Sequence, residues 1–70
     1  MNMINTPESS TIAAFGYDDA RNVLIVQFKS GSTYEYYDVP ENIFTHMSAA
    51  SSRGQFLAQN VKGSYRYARV

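Results

Sequence analysis

The chain has 70 residues, no cysteine, six tyrosines, four phenylalanines and a formal net charge of zero. A domain this short buries only about 60% of its unfolded surface, so the aromatic rings must supply much of its core. The lack of cysteine excludes disulfides and thiolate chemistry, and no apolar run approaches the ~20 residues that span a bilayer. Because the first residues also lack the features of a signal peptide, we expect a soluble cytoplasmic protein without a membrane segment.

Residues 1–9 are polar and contain Pro7, which predicts a flexible N-terminal arm. Residues 10–70 then form a single domain. Its first predicted strand covers residues 10–17, and a turn rich in Asp and Asn follows at residues 18–22. Residues 23–28 are almost wholly apolar and β-branched, which is typical of a central strand.

The register of the first hairpin has two alternatives. A four-residue loop places Phe15 and Tyr17 on the same face as Leu24, whereas a five-residue loop turns Ile12 and Ala14 to that face. We favour the four-residue loop because it buries more aromatic area.

The second hairpin depends on the loop Lys29-Ser30-Gly31. With Gly31 in the left-handed conformation, a three-residue loop pairs Val26 with Tyr34. The same register then pairs Leu24 with Tyr36. A four-residue loop would pair Val26 with Glu35 and place a carboxylate among apolar neighbours. The three-residue loop is therefore predicted.

Two helices follow the strands. Asp38 and Glu41 have capping-box spacing around Pro40, which predicts a helix through about residue 50. Ser52 and Gln55 form a second capping box, so the second helix should run through about Val61 and end at a left-handed glycine, residue 63. Residues 64–70 alternate again, as a short C-terminal edge strand would. The fold class is thus α+β, a three-stranded antiparallel β-meander followed by an α-hairpin packed on one face (βββαα).

The order and spacing of several short motifs resemble the KTSC domain family over residues 9–70. These motifs are Ser9-Ser10, Tyr17-Asp18, Leu24-x-Val26-x-Phe28, Gly31, Tyr34-x-Tyr36, Val39-Pro40, Ser52-x-Gly54-x-Phe56 and Lys62-x-x-Tyr65. The family is named for an appendage at the C-terminus of some lysyl-tRNA synthetases, and it includes small stand-alone bacterial proteins. The resemblance implies a small domain for which RNA is a suggested ligand.

Charge is distributed unevenly along the chain. Residues 1–41 hold six acidic residues and two cations, a net charge of −4, whereas residues 42–70 hold four cations and no acid, a net charge of +4. Such asymmetry indicates an interaction face, or merely acidic loops and a basic tail. The tail interleaves cations and aromatic rings, as single-stranded nucleic-acid binding does. The predicted contacts are Arg53, Lys62, Tyr65, Arg66, Tyr67 and Arg69.

Some of these features also have purely structural interpretations. Tyr65 can dock on the core, and Tyr34 and Tyr36 are expected to be core residues beneath the helices and not base-stacking platforms. Residues 51–54 have the parts of an anion site, namely hydroxyls, a guanidinium and a glycine at a helix start. Ordinary helix capping accounts for the same residues and is favoured.

The opposite face of the sheet suggests an alternative function. Val23, Ile25 and Tyr37 are predicted to form an apolar outer surface, which would suit a partner protein or self-association. Catalysis has little support, because His46 is the only histidine and no metal or phosphate-binding motif is present. We therefore expect a non-catalytic binding module that uses no cofactor or metal, with RNA as the leading partner and protein interaction as the alternative.

Overall fold

The structure, a computed structural model, describes residues 3–70. Its elements in chain order are β1 (Met3–Asn5), β2 (Ile12–Asp18), β3 (Val23–Phe28), β4 (Thr33–Tyr36), α1 (Glu41–Ala49), α2 (Arg53–Asn60) and β5 (Tyr67–Arg69). The strands form one antiparallel sheet in the order β1-β2-β3-β4-β5, and the two helices lie between β4 and β5 in the chain. The α+β fold class is confirmed, and the C-terminal edge strand is present as β5.

The N-terminal residues differ from the prediction. Met3–Asn5 form β1, which pairs with β2 so that Ile4 lies opposite Phe15. Thr6 is fully buried, and its hydroxyl donates a 2.6 Å hydrogen bond to the carbonyl of Ile12. Residues 3–6 are therefore not a flexible arm, because β1 satisfies the backbone groups of β2 that would otherwise form an open edge. Residues 1 and 2, also assigned to the arm, lie outside the described residues.

The second hairpin has the predicted three-residue loop. The N–H of Gly31 donates to the carbonyl of Phe28 at 2.9 Å, and Gly31 has a φ of 100°. Val26 consequently faces Tyr34 across the β3–β4 pair, as predicted. The conformation of the turn and the burial of the apolar face of the sheet both require this register.

The first hairpin has the favoured four-residue loop, since Phe15 pairs with Val26 and Tyr17 with Leu24. The register shifts between Ile12 and Ala14, where β2 contains a β-bulge. Because the bulge re-aims the strand, Ile12 and Phe15 are both fully buried. The core therefore contains a residue from each of the two alternative arrangements, Ile12 from one and Phe15 from the other.

The helix starts differ from each other. Pro40 is the N-cap of α1 without a side-chain cap, so the predicted capping role of Asp38 is wrong. Asp38 has a positive φ of 57°, and its carboxylate accepts a hydrogen bond from Arg66 instead of capping the helix. In α2 the predicted cap is confirmed, because the hydroxyl of Ser52 accepts a hydrogen bond from the N–H of Gln55.

The core lies between one sheet face and the helices. Its fully or almost fully buried members are Ile12, Phe15, Leu24, Val26, Tyr36, Val39, Met47, Leu57 and Val61. Phe44 of α1 stacks on Tyr17 with ring centroids 5.5 Å apart, and the Tyr17 hydroxyl donates a 2.6 Å hydrogen bond to the Val39 carbonyl. These contacts hold α1 over β2. Within residues 3–70, neither helix has the length and apolar character needed to cross a membrane.

Candidate functional site

A cleft opens where the sheet face meets the end of α2. Antiparallel pairing of β4 and β5 sets Tyr36 opposite Tyr67 and Tyr34 opposite Arg69, so these four side chains share the face that carries the core. We call the space above them the aromatic cleft, which has a volume of about 510 Å³. Its lining residues are Phe28, Ser30, Ser32, Tyr34, Tyr36, Lys62, Gly63 and Tyr67.

The aromatic rings of the cleft differ in depth. Tyr36 is only 3% exposed and belongs to the core, as predicted, whereas Tyr67 is 59% exposed. Tyr34 is half-buried between them, with its ring centroid 5.6 Å from that of Tyr67 and 5.5 Å from that of Phe28. Tyr34 packs against the core, as expected, but it is only partly buried and therefore also lines the cleft.

The cleft is electropositive. The ammonium of Lys62 lies 5.3 Å from the centroid of the Phe28 ring, a cation–π arrangement. Arg69 is exposed at the margin beside Tyr34 and has no ion-pair partner among residues 3–70. No acidic residue is among those that line the cleft. Burial raises the pKa of Tyr36, with smaller contributions from Tyr34 and Tyr67, so this phenol stays neutral at physiological pH.

A second depression continues from the aromatic cleft along the β3–β4 loop. This hairpin groove has a volume of about 370 Å³, and it shares Phe28, Ser30 and Lys62 with the cleft. Its remaining lining residues are Ser10, Thr11, Lys29, Gly54, Leu57 and Ala58. The two depressions therefore adjoin at these three shared residues, and together they mark a path over the surface from Tyr67 past Lys62 to Lys29.

Arg53 does not belong to this path. Its guanidinium forms an ion pair with Glu8, donates a 2.8 Å hydrogen bond to the Ser48 carbonyl, and lies over the Phe15 ring. The prediction that Arg53 contacts nucleic acid stays untested, and Nη1 and Nη2 of its guanidinium bond to the protein itself. It ties the start of α2 to the end of α1 and to the segment before β2.

The start of α2 also fits the capping interpretation better than an anion site. The Ser52 hydroxyl is engaged by the Gln55 N–H. A Cβ at Gly54 would lie 2.9 Å from the Thr11 hydroxyl oxygen, so glycine is present here because another segment packs closely.

The predicted tail residues separate into two groups. Tyr67 lines the aromatic cleft, and Arg69 lies on the same face of the sheet, because alternate residues of a strand share a face. Arg66 is instead ion-paired with Asp38 at 3.1 Å, with both side chains about four-fifths exposed (81% and 79%). Tyr65 packs against the core, as its alternative interpretation anticipated. The structure thus brings together Lys62, Tyr67 and Arg69, but not the other three predicted contacts.

Sequence reasoning did not assign Phe28 or Tyr34 to the site. Their alternating positions on β3 and β4 are as typical of core residues as of a binding site. The sequence does not reveal that β5 pairs with β4 and so extends this face of the sheet beyond the helices.

The outer sheet face is not the exposed apolar surface that was predicted. Val23 and Ile25 are only 2% and 7% exposed. Glu35, directly opposite Ile25, accepts hydrogen bonds from Arg21 and from the Tyr37 hydroxyl, each at 3.2 Å. This polar network crosses the face on which Val23 and Ile25 lie. Self-association stays an untested prediction, and the burial of these residues removes its main support.

Comparison with known proteins identifies the family. Residues 8–65 match the family model described as the KTSC domain. The chain belongs to the KTSC domain family. A protein from Tsukamurella paurometabola is 46% identical over 59 residues, which cover 84% of this chain and 88% of that protein.

This KTSC domain also resembles part of a much larger protein. A lysine–tRNA ligase from a Nostoc species is 38% identical over 61 residues, which cover 87% of this chain but only 11% of the ligase. The same fold is found in the crystal structure of a KTSC domain protein from Yersinia pestis, which superposes with a TM-score of 0.92 at 30% identity. That superposition covers 99% of this chain and 96% of the other.

Proposed function

We propose that this KTSC domain is a small non-catalytic binding module that binds single-stranded RNA along the aromatic cleft and the hairpin groove. One observation carries the proposal. Lys62 lines a cleft together with the accessible rings of Tyr34 and Tyr67 and without an acidic lining residue, and Arg69 lies opposite Tyr34 on the neighbouring strand. Paired cations and aromatic faces are the combination that single-stranded nucleic-acid sites use.

The distribution of charge supports an anionic ligand at this place. Four acidic residues, Glu8, Asp18, Glu35 and Asp38, are ion-paired with arginines elsewhere on the molecule. Lys62 and Arg69 have no such partner within residues 3–70, and Lys29 donates only to the Pro7 carbonyl. A neutral chain can therefore still present a locally positive path, and local charge governs phosphate contacts.

Two considerations favour single-stranded RNA among the nucleic acids. The bases of a duplex are stacked within it and cannot reach rings recessed in a cleft, whereas unpaired bases can. RNA is favoured because segments similar to this chain occur in lysine–tRNA ligases, enzymes named for a tRNA substrate. The polar groups that line the cleft are phenols, serine hydroxyls and one ammonium, all of which can donate hydrogen bonds to the phosphates or base edges of a strand.

The proposal predicts a salt dependence that can be measured. Three phosphate contacts, to Lys29, Lys62 and Arg69, correspond to a slope of log K against log salt of about −2 for a single strand. Fluorescence anisotropy with a labelled oligoribonucleotide, titrated at several salt concentrations, gives this slope directly.

A matched pair of variants makes the test specific. Arg69→Ser should reduce the slope by about one contact, ~0.7 units. Arg66→Ser removes the same charge three residues away, on a side chain paired with Asp38, and should leave the slope unchanged. Folded protein that binds no RNA at low salt would refute the proposal, as would equal losses in the two variants.

A further inference from the structure

We infer that the aromatic cleft holds one unstacked base of the bound strand against the rings of Tyr34 and Tyr67, while Lys62 contacts an adjacent phosphate. The inference rests on the proposed function and goes beyond it, because a strand could also be held by its phosphates alone. It assigns a base-binding site of one nucleotide to residues of β4 and β5.

The arrangement of the rings supports a single flat ligand. The Tyr34 and Tyr67 rings are tilted by 39° with centroids 5.6 Å apart, so they form an open wedge and not a closed stack. The Phe28 ring stands perpendicular to that of Tyr34, at 90°, and its own face is occupied by the Lys62 ammonium. A planar ring can therefore stack on Tyr67 and the adjoining part of Tyr34, since within residues 3–70 no cation lies over the face of either ring.

The dimensions of the cleft agree with one nucleotide. Its volume of about 510 Å³ lies within the ~300–1,000 Å³ typical of small-molecule sites. Tyr36 closes the bottom, because it is only 3% exposed. A base can thus enter edge-first to the depth of Tyr34 but cannot pass into the core.

The polar groups distinguish a nucleotide from an apolar side chain. Ser30 and Ser32 line one end of the cleft, and their hydroxyls can both donate and accept hydrogen bonds. A purely apolar ligand would make no use of these hydroxyls or of the Lys62 ammonium. A flat polar ring attached to a phosphate can form hydrogen bonds with both.

Lys62 is placed to reach that phosphate. Its four-carbon stem is flexible, and the neighbouring Gly63, with a φ of 85°, has no atom within 4 Å of the position of an added Cβ. The wall of the cleft beside Lys62 is consequently open. The ammonium can move from the Phe28 ring to a phosphate that enters through this opening.

The test compares two six-nucleotide ligands of equal charge, an oligouridylate and an abasic ribose-phosphate oligomer. Each is titrated against the wild-type chain, Tyr67→Phe and Tyr67→Thr by fluorescence anisotropy at low salt. Phe keeps the ring for stacking, whereas Thr suits an edge strand but removes the ring. The wild type should bind the oligouridylate ~10-fold more tightly than the abasic oligomer, since stacking on one aromatic ring is of that order.

The two variants should then distinguish the contribution of the Tyr67 ring to binding from that of the phosphate contacts. Tyr67→Phe should retain this preference, and Tyr67→Thr should lose it without a change in affinity for the abasic oligomer. Circular dichroism confirms that each variant is folded.

Two results would overturn the inference, with different consequences. Equal, salt-dependent binding of both ligands by the wild type would refute the base site but leave RNA binding through phosphates intact. Absence of binding to either ligand would refute the proposed function as well. A preference for the oligouridylate that survives in Tyr67→Thr would also refute the assignment, because the base would then be held elsewhere.

Discussion

The guanidinium carbon of Arg53 lies 5.9 Å from the ring centroid of Phe15, a fully buried core residue. The same side chain donates to the Ser48 carbonyl and pairs with Glu8. Arg53 therefore clamps three segments of the chain together, although its type and position at a helix start suggested a ligand contact.

Loss of this clamp should affect stability and not RNA affinity. Arg53→Met keeps most of the apolar stem but removes the hydrogen bond to Ser48, the ion pair with Glu8 and the cation–π contact. We expect the free energy of unfolding to fall by about 1–3 kcal/mol, measured by urea denaturation. The control Arg66→Ser breaks an exposed ion pair and should change it by less than about 0.5 kcal/mol. A stable Arg53→Met variant with weakened RNA binding would contradict the assignment.

The β3–β4 loop offers a second prediction. Gly31 has a φ of 100°, and no atom lies within 4 Å of the position of an added Cβ. Because space is available, any cost of substitution is conformational. Gly31→Val should destabilise the domain by about 1 kcal/mol or more, since a β-branched residue is strained at positive φ. Gly31→Asn should cost less, because asparagine tolerates this region better. Equal denaturation midpoints for all three chains would show that the loop does not require positive φ.

The pair Asp18–Arg21 predicts a pH dependence. The hydrogen bond from Arg21, at 2.8 Å, holds the pKa of the Asp18 carboxyl below its usual value. As the pH falls, the unfolded chain takes up the proton at about pH 3.9 while the folded chain still resists it. The contribution of Asp18 is therefore present above about pH 4 and is lost as the pH falls through the lower, folded value.

This contribution is measured by urea denaturation at a series of pH values between about 5 and 2. Asp18→Asn should flatten the loss of stability at acid pH relative to the wild type. Asp19→Asn removes the neighbouring charge but no bond to Arg21, and should retain the wild-type profile in this range. Parallel curves for the wild type and Asp18→Asn would show that the pair has no linkage to folding.

Features set by nearby residues could be predicted from the sequence. The loop at Gly31 and the cap at Ser52 depend on residues three or four positions apart, and their turn and capping chemistry left one favourable arrangement. The alternation of β4 then determined that Tyr36 belongs to the core. The capping role of Asp38 was wrong although its spacing was suitable, because its carboxylate is bound by Arg66, in the chain segment before β5.

Contacts between distant segments were decided only in the tertiary structure. The polar composition of the N-terminus concealed β1, since its pairing with β2 depends on an open sheet edge that no local pattern describes. Arg53 and Glu8 are separated by 45 residues in the chain. Because they meet only in the folded structure, the sequence did not indicate that Arg53 holds segments of the chain together. Composition and alternation by themselves determined the fold class and the residues able to bind an anion or an aromatic ring. The tertiary structure decided which of these residues share a surface. The strand β5 joins the sheet beyond the end of α2, and its pairing with β4 sets Tyr67 and Arg69 beside Tyr36 and Tyr34.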